Sequence, residues 1–309
     1  MPIATLSGIR KEYPGLDRPA LVDVDLEIGP GSIVVIVGAN GSGKTTAMEI
    51  LSGLRVPDSG TAVIDGRRVV PGGRHRFAVG VQLQDAGLPQ RLKVKEAVRA
   101  VSSLYADPGD VAGVLRALGL DDRLDQMVDK LSGGWQRRLD IALACIGRPR
   151  LLILDEPTSG LDPDARTDLW EFLRDVRSRG VSVLASTHDL TEAESYADRL
   201  VVLDAGRILL DGPVDEVLRS AGGDWRVRIT GADARVAHAV RALGAAPLGR
   251  GDALSVIGSR ASTARLAESI KAERDAGRVG FRDVLLGPVR LEDVYAYAAA
   301  RGADAAVAS

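Results

Sequence analysis

Ile33-Val34-Val35-Ile36-Val37-Gly38-Ala39-Asn40-Gly41-Ser42-Gly43-Lys44-Thr45-Thr46 is the stretch from which the rest of the chain is read. Its first five residues, all β-branched, predict one short buried strand. Ala47-Met48-Glu49-Ile50-Leu51 then reads as a helix ending near Gly53. Between them stands the spacing G-x-x-x-x-G-K-[ST]. A strand before it and a helix after it are the context in which that spacing makes a phosphate site. Gly38, Gly41 and Gly43 open backbone conformations closed to other residues and let a ligand approach the main chain. Amides of the loop and the first helical turn, from Asn40 and Ser42 through Thr46, then point at one centre of negative charge, helped by the helix dipole. Lys44 adds a mobile positive charge for β- and γ-phosphates. Thr45 offers a hydroxyl to Mg2+, which prefers oxygen ligands.

The bulk composition sets bounds on everything else. At 309 residues, one large domain plus an appendage is expected. A formal net charge of -2 argues against a dedicated nucleic-acid binder. The single cysteine, Cys145, excludes an internal disulfide and fits a reducing compartment. The apolar runs fall far short of the ~20 residues a membrane span needs. Met1-Pro2-Ile3 does not open a signal-peptide pattern, so a cytosolic or peripheral protein is expected.

Outward from the glycine-rich turn, Leu21 to Ile28 alternates strictly and predicts a strand with one wet face. Tyr13, in the loop before it, is a rare aromatic suited either to stacking on a purine or to covering its loop. Thr61–Ile64 and Phe77–Leu83 read as further strands. The second delivers Gln84 to its end, as a Mg2+ ligand, a water-positioning group or a solvated loop residue. Residues 91–130 switch to helical periodicity. Ser132-Gly133-Gly134 then opens another helix, and the serine serves either as a cap or, with two bare glycine amides, as an anion contact.

Leu151-Leu152-Ile153-Leu154 is a fully apolar strand running into Asp155-Glu156. Two carboxylates at the end of a buried strand are costly without a metal or polar partner, and ligands in such sheets bind at the strands' carboxyl ends. Asp155 therefore suits Mg2+ through water, and Glu156 suits a base for an attacking water. Val181–Thr187 is a strand that ends in His188, the one histidine of three so placed, open to a structural or a functional role. Beyond Ala221-Gly222-Gly223, three short strands alternate with helical stretches, a small α+β appendage without clustered ligands or nucleophiles.

From residue 3 to about 220 the chain closely resembles the nucleotide-binding subunit of ABC transporters. Gly38–Thr45 matches Walker A, Gln84 the Q-loop, Leu131–Leu139 the signature, Leu151–Glu156 Walker B, Ser159–Asp162 the D-loop and His188 the switch histidine. Tyr13 falls where that family places an adenine-stacking aromatic. The signature departs from Leu-Ser-Gly-Gly-Gln: Trp135 replaces the glutamine and Gln136 follows. Val289–Tyr295 is similar to the tail of daunorubicin-type drug-resistance exporters.

The resemblance implies an α/β P-loop NTPase core with an antiparallel β subdomain and a helical signature subdomain. The core would span 1–220, with a helical insertion at about 90–145, followed by a small α+β domain over 224–309. It further implies a head-to-tail dimer around two ATP, made with a second copy or a homologous ATPase subunit. ATP on Tyr13, Gly38, Asn40–Thr46 and Mg2+ on Thr45, Gln84 and Asp155 would be capped by Ser132, Gly133, Gly134 and Asp162 of the other subunit. Glu156 and His188 would run hydrolysis, which would power a separate polytopic permease at the cytoplasmic face of the membrane, an exporter of hydrophobic compounds. The alternative is a soluble relative working on ribosomes or DNA. Those carry two ATPase units or long coiled-coil insertions, whereas this chain has one copy of each motif and no sustained heptads.

Overall fold

The computed structural model describes residues 1–83, 87, 91–249 and 252–298. The chain forms two compact units, Met1–Ile208 and Leu209–Ser309. The stretch Ala221–Gly223, which separates the two domains expected from sequence, lies inside the second.

The first unit begins with β1 (Ala4–Lys11), β2 (Leu21–Ile28), β3 (Ile33–Val37), α1 (Lys44–Ser52), β4 (Ser59–Ile64), β5 (Arg67–Arg68) and β6 (Val79–Gln82). The helices α2 (Val94–Ser102), α3 (Val111–Ala117) and α4 (Gly133–Cys145) follow. Then come β7 (Leu151–Leu154), α5 (Pro163–Ser178), β8 (Ser182–Thr187), α6 (Leu190–Tyr196) and β9 (Arg199–Asp204), with β10 (Arg207–Pro213) running across the boundary.

Two sheets organise this unit. The antiparallel one has the order β2-β1-β4-β5, and the larger one the order β10-β9-β3-β8-β7-β6. In the larger sheet β9, β3, β8, β7 and β6 are mutually parallel. Every residue of β3, β7 and β8 is buried, as expected where a parallel sheet is covered on both faces. On one face Val34, Ile36, Ile153, Leu184 and Val201 share a core with Leu6, Leu26 and Ile64 of the antiparallel sheet and with Met48, Ile50 and Leu51 of α1. On the other, α6 packs on β3 and β8, and α5 packs on β8. The parallel connections bring the carboxyl ends of β3, β7 and β8 to one edge.

Local structure departs from the sequence expectation in two places. The alternation of β2 is not strict: buried Leu21 gives way to buried Val24, Leu26 and Ile28, because Asp23 takes a left-handed conformation (φ 52) beside a register shift against β1. Phe77 and Ala78 belong to a 3-10 turn, Arg74–Ala78, rather than to β6, and Phe77 is exposed. The insertion is helical as expected, with Val94, Ala97 and Val98 of α2, Leu115 of α3 and Leu139, Ile141 and Ala142 of α4 turned inward.

The second unit continues with α7 (Val214–Arg219), β11 (Trp225–Thr230), α8 (Ala234–Ala242), β12 (Ala253–Gly258), α9 (Arg260–Asp275), β13 (Asp283–Pro288) and a helix over 291–298. Its antiparallel sheet, in the order β12-β11-β13, buries Val227, Ile229 and Val256 against Val236, Val240, Ala267 and Ile270 of α8 and α9. Asp293, itself buried, pairs with Arg226 at 2.7 Å and so ties the final helix to β11.

Candidate active site

The turn after β3 is built by close contacts that only glycine permits. A Cβ on Gly43, which has φ 109, would stand 2.5 Å from the Ala20 carbonyl oxygen, and one on Gly38 would stand 2.2 Å from that of Leu203. Gly41, with φ 75, faces open space. Ser42 is buried within the turn. Lys44 begins α1, and its Nζ donates to the carbonyls of Gly38 at 2.9 Å and Ala39 at 3.1 Å, which holds the loop curled around it. Burial lowers the Lys44 pKa below the usual lysine value, while the charges of Glu156 and Asp155 oppose that fall.

Thr45 and Asp155 meet across the ends of β3 and β7: Thr45 Oγ1 donates to Asp155 Oδ2 at 2.7 Å. The other Asp155 oxygen accepts from Ser186 Oγ, and the same serine oxygen accepts the Glu156 N–H at 2.9 Å. A hydroxyl and a carboxylate converging beside a phosphate loop are the oxygen donors that suit Mg2+. Among the described residues no group of three His, Cys, Asp or Glu stands ready as an all-protein metal cage. Glu156 has φ 49, a strained left-handed backbone costing roughly 1–2 kcal/mol. That turn sets its carboxylate 3.3 Å from Nδ1 of His188, which rises exposed from the end of β8.

An open cavity of about 1020 Å3 joins these groups. Tyr13, Asn40, Gly41, Gly43, Lys44, Thr45, Thr46, Glu156 and His188 line it, as does the loop Leu16–Ala20. The Tyr13 hydroxyl lies 3.5 Å from Thr46 Oγ1. Arg55 and Lys11 lie near the ring, each already ion-paired, with Glu49 and Asp58 respectively. Of the remaining histidines, His75 is buried beneath Gly53, beside the Ser52 carbonyl.

Ser132, Gly133 and Gly134 lie elsewhere. They line a separate opening of about 270 Å3 with Trp135, Arg138, Gly160, Leu161, Asp162 and Ala165. Among the described residues none lines both openings. Ser132 occupies the N-cap position of α4, yet its side chain makes no capping bond and is exposed. Asp162 does cap, accepting from the Ala165 N–H at 2.9 Å at the start of α5. The Trp135 ring stacks beneath the Arg123 guanidinium, 3.8 Å from its centroid, with Arg138 at 5.1 Å. Gln136 turns back to donate to the carbonyls of Val128 and Leu131 at 3.1 and 3.2 Å. The amide after the tryptophan thus braces the turn that presents Ser132.

Gln84 lies outside the described residues. Three buried polar residues beside the site were not anticipated: Gln82, Ser186 and Glu192. Gln82 ends β6 and donates to the Leu83 and Asp155 carbonyls at 3.0 and 3.4 Å. Only Glu192 had a readable signal, since Asp189-Leu190-Thr191-Glu192 has the acidic-cap spacing of a helix start.

A phosphate loop on one parallel strand, β3, and two carboxylates at the end of β7, the next strand but one, define a P-loop nucleotide-hydrolysing site. A family model described as ABC transporter matches residues 21–159. The chain is 37% identical over 230 residues to the daunorubicin resistance ATP-binding protein DrrA3 of Streptomyces coeruleorubidus, covering 71% of each. It is 35% identical over 297 residues to the Nod factor export ATP-binding protein I of Burkholderia orbicola, covering 93% of this chain and 94% of that one. Among solved structures it is similar to an ATP-binding subunit of an ABC transporter, with TM-score 0.65, 29% identity, and 71% and 93% of the two chains covered. A dimeric ATP-binding cassette in a post-hydrolysis state with ADP and Pi matches with TM-score 0.63, 26% identity, and 68% and 98% covered. The chain belongs to the ATP-binding subunits of ABC transporters and is an ATPase.

Proposed function

We propose that this chain closes head to tail with a second copy, or with a homologous ATPase subunit, around two ATP. The stroke drives a separate polytopic permease at the cytoplasmic face of the membrane, one that exports drugs, lipids or other hydrophobic compounds. One observation carries the proposal. The Ser132 hydroxyl and the amides of Gly133 and Gly134 face outward, uncommitted to their own helix, on an opening that no residue of the phosphate cradle lines. Such groups suit a γ-phosphate held by another chain.

In this scheme Tyr13 stacks on the purine and the amides of Gly38, Asn40, Gly41, Ser42, Gly43 and Thr46 surround the phosphates. Lys44 releases one of its carbonyl partners to meet the β- and γ-oxygens. Thr45 and Asp155 would hold Mg2+, with Gln84 joining them. Mg2+ bound there would supply charge that offsets the phosphate oxygens. Glu156 takes a proton from the attacking water as the bond between the γ-phosphorus and the ADP oxygen breaks. His188, already beside the Glu156 carboxylate, holds that carboxylate and the γ-phosphate in register. Across the joint, the partner's signature and its Asp162 loop complete the enclosure.

The relatives support the export assignment by name: one is a daunorubicin resistance protein, another a Nod factor exporter, and a third is described as a probable multidrug ABC transporter ATP-binding protein. Among the described residues no helix is long and apolar enough to cross a membrane, and in this proposal the bilayer path belongs to the permease. Purification of the tagged full chain from solubilised membranes tests this. Recovery of a polytopic subunit that stimulates ATP turnover is expected. Recovery of ribosomal RNA or DNA in its place would overturn it.

A further inference from the structure

Glu192 is a buried carboxylate that the hydrolytic scheme leaves without a role. It sits in the first turn of α6, four residues after His188. Its Oε2 accepts from Thr158 Oγ1 at 2.7 Å and from Thr187 Oγ1 at 3.3 Å. Thr158 belongs to the segment between Glu156 and Asp162, and Thr187 is the last residue of β8, directly before His188. Its other oxygen is buried with no hydrogen-bond partner among the described residues, and Arg166 of α5 approaches it to 3.8 Å. Arg166 in turn donates from Nε to the Leu161 carbonyl at 3.0 Å.

These contacts form one connected path. Leu161 and Asp162 line the outward opening beside Ser132, whereas His188 and Glu156 line the nucleotide cavity. Glu192 is bonded to the segment leading to each. A buried carboxylate holds such a position only because its partners satisfy it. Moving either partner by an ångström therefore strains the other. Resting on the two-copy site proposed above, we infer that Glu192 is a positioning residue that couples the Thr158–Asp162 loop to His188. Through it, closure of the partner on that loop sets the hydrolytic geometry of this chain's own nucleotide site.

The test uses the full-length chain, with ATP turnover measured against both ATP and chain concentration. In E192A and in T158V, which replaces the hydroxyl with a methyl group of the same shape, kcat should fall about 10–100-fold, the scale of a small misplacement. Nucleotide Kd should stay within about threefold, because neither residue touches the phosphate cradle. The Hill coefficient for ATP should drop towards one. E192Q, whose amide oxygen still accepts from both threonines, should keep most of kcat. The E192A/T158V double variant should be no slower than the worse single, as for two ends of one bond. If E192A does not fold, T158V and E192Q carry the same test. Wild-type kcat and Hill coefficient in T158V, or costs that add in the double variant, would overturn the coupling. Wild-type turnover per chain that is independent of chain concentration would instead sink the two-copy site itself, so the two failures are distinguishable.

Discussion

The phosphate cradle and the Ser132–Gly134 surface are both glycine-rich turns leading into a helix, yet they are finished to different degrees. In the cradle, Lys44 already has two carbonyl partners, Thr45 and Ser186 hold Asp155, and His188 stands beside Glu156. At the other turn the serine side chain caps nothing, and a Cβ on Gly133 would meet nothing within 4 Å. The lesson is that the first turn is preorganised within one chain, while at the second the Ser132 hydroxyl makes no capping bond to its own helix, as the proposed contact with another chain's phosphate requires. Substitutions in the two regions should therefore fail in different ways.

The largest effect is expected at Glu156. E156Q should lose about 10²–10⁴-fold in turnover, the usual contribution of a general base, while ATP binding is retained. Near-normal hydrolysis would assign the base elsewhere. On the outward surface, S132R should lower turnover by about 100-fold or more, with nucleotide affinity of the dilute chain unchanged by equilibrium titration. A matching loss of affinity would mean that Ser132 serves its own cavity, and the contrast between the regions would collapse. K44A should instead act on binding: its Kd for ATP should rise about 10–100-fold, the worth of a charge-assisted contact. Unchanged affinity would remove Lys44 from the cradle.

The smallest effect concerns the helix behind the signature. Burial pushes the Asp140 carboxyl up from 3.8 to about 6, against the pull of Arg137. The folded state therefore binds this proton more tightly than the unfolded chain does. Stability is full below the unfolded value, falls as pH rises from 3.8 towards 6, and stays penalised above that. D140N should be more stable than wild type at pH 7.5 by about 1 kcal/mol, allowing for partial solvent screening. The gain should vanish near pH 4, as read by denaturant unfolding. A gain that persists at pH 4 would point to packing rather than charge.

What could be read from sequence follows from how local each signal is. β3 occupies Ile33–Val37 and β7 Leu151–Leu154, the ranges expected, because runs of β-branched or fully apolar residues bounded by glycine or carboxylates leave few other readings. The residues on their ends follow from topology. By contrast, Ser186 lies inside a strand and Gln82 at the end of one, and nothing in either segment says that the side chain will meet Asp155 from a neighbouring strand. The seven-residue helix α6 escaped notice because it is too short for a periodic pattern, although its Asp189 cap was visible. The bulge at Asp23 was hidden by a polar–apolar alternation that persists in sequence while the backbone shifts register. Trp135 stands where the family's signature carries a glutamine. In the folded chain it packs against Arg123, and Gln136 braces the preceding turn.

The most direct measurement is sedimentation of full-length E156Q with and without ATP and Mg2+. Two chains that complete one another's sites should double the sedimenting mass when nucleotide is added, and S132R in the same background should abolish the shift. A nucleotide-saturated E156Q chain that stays monomeric at micromolar concentration would contradict the account.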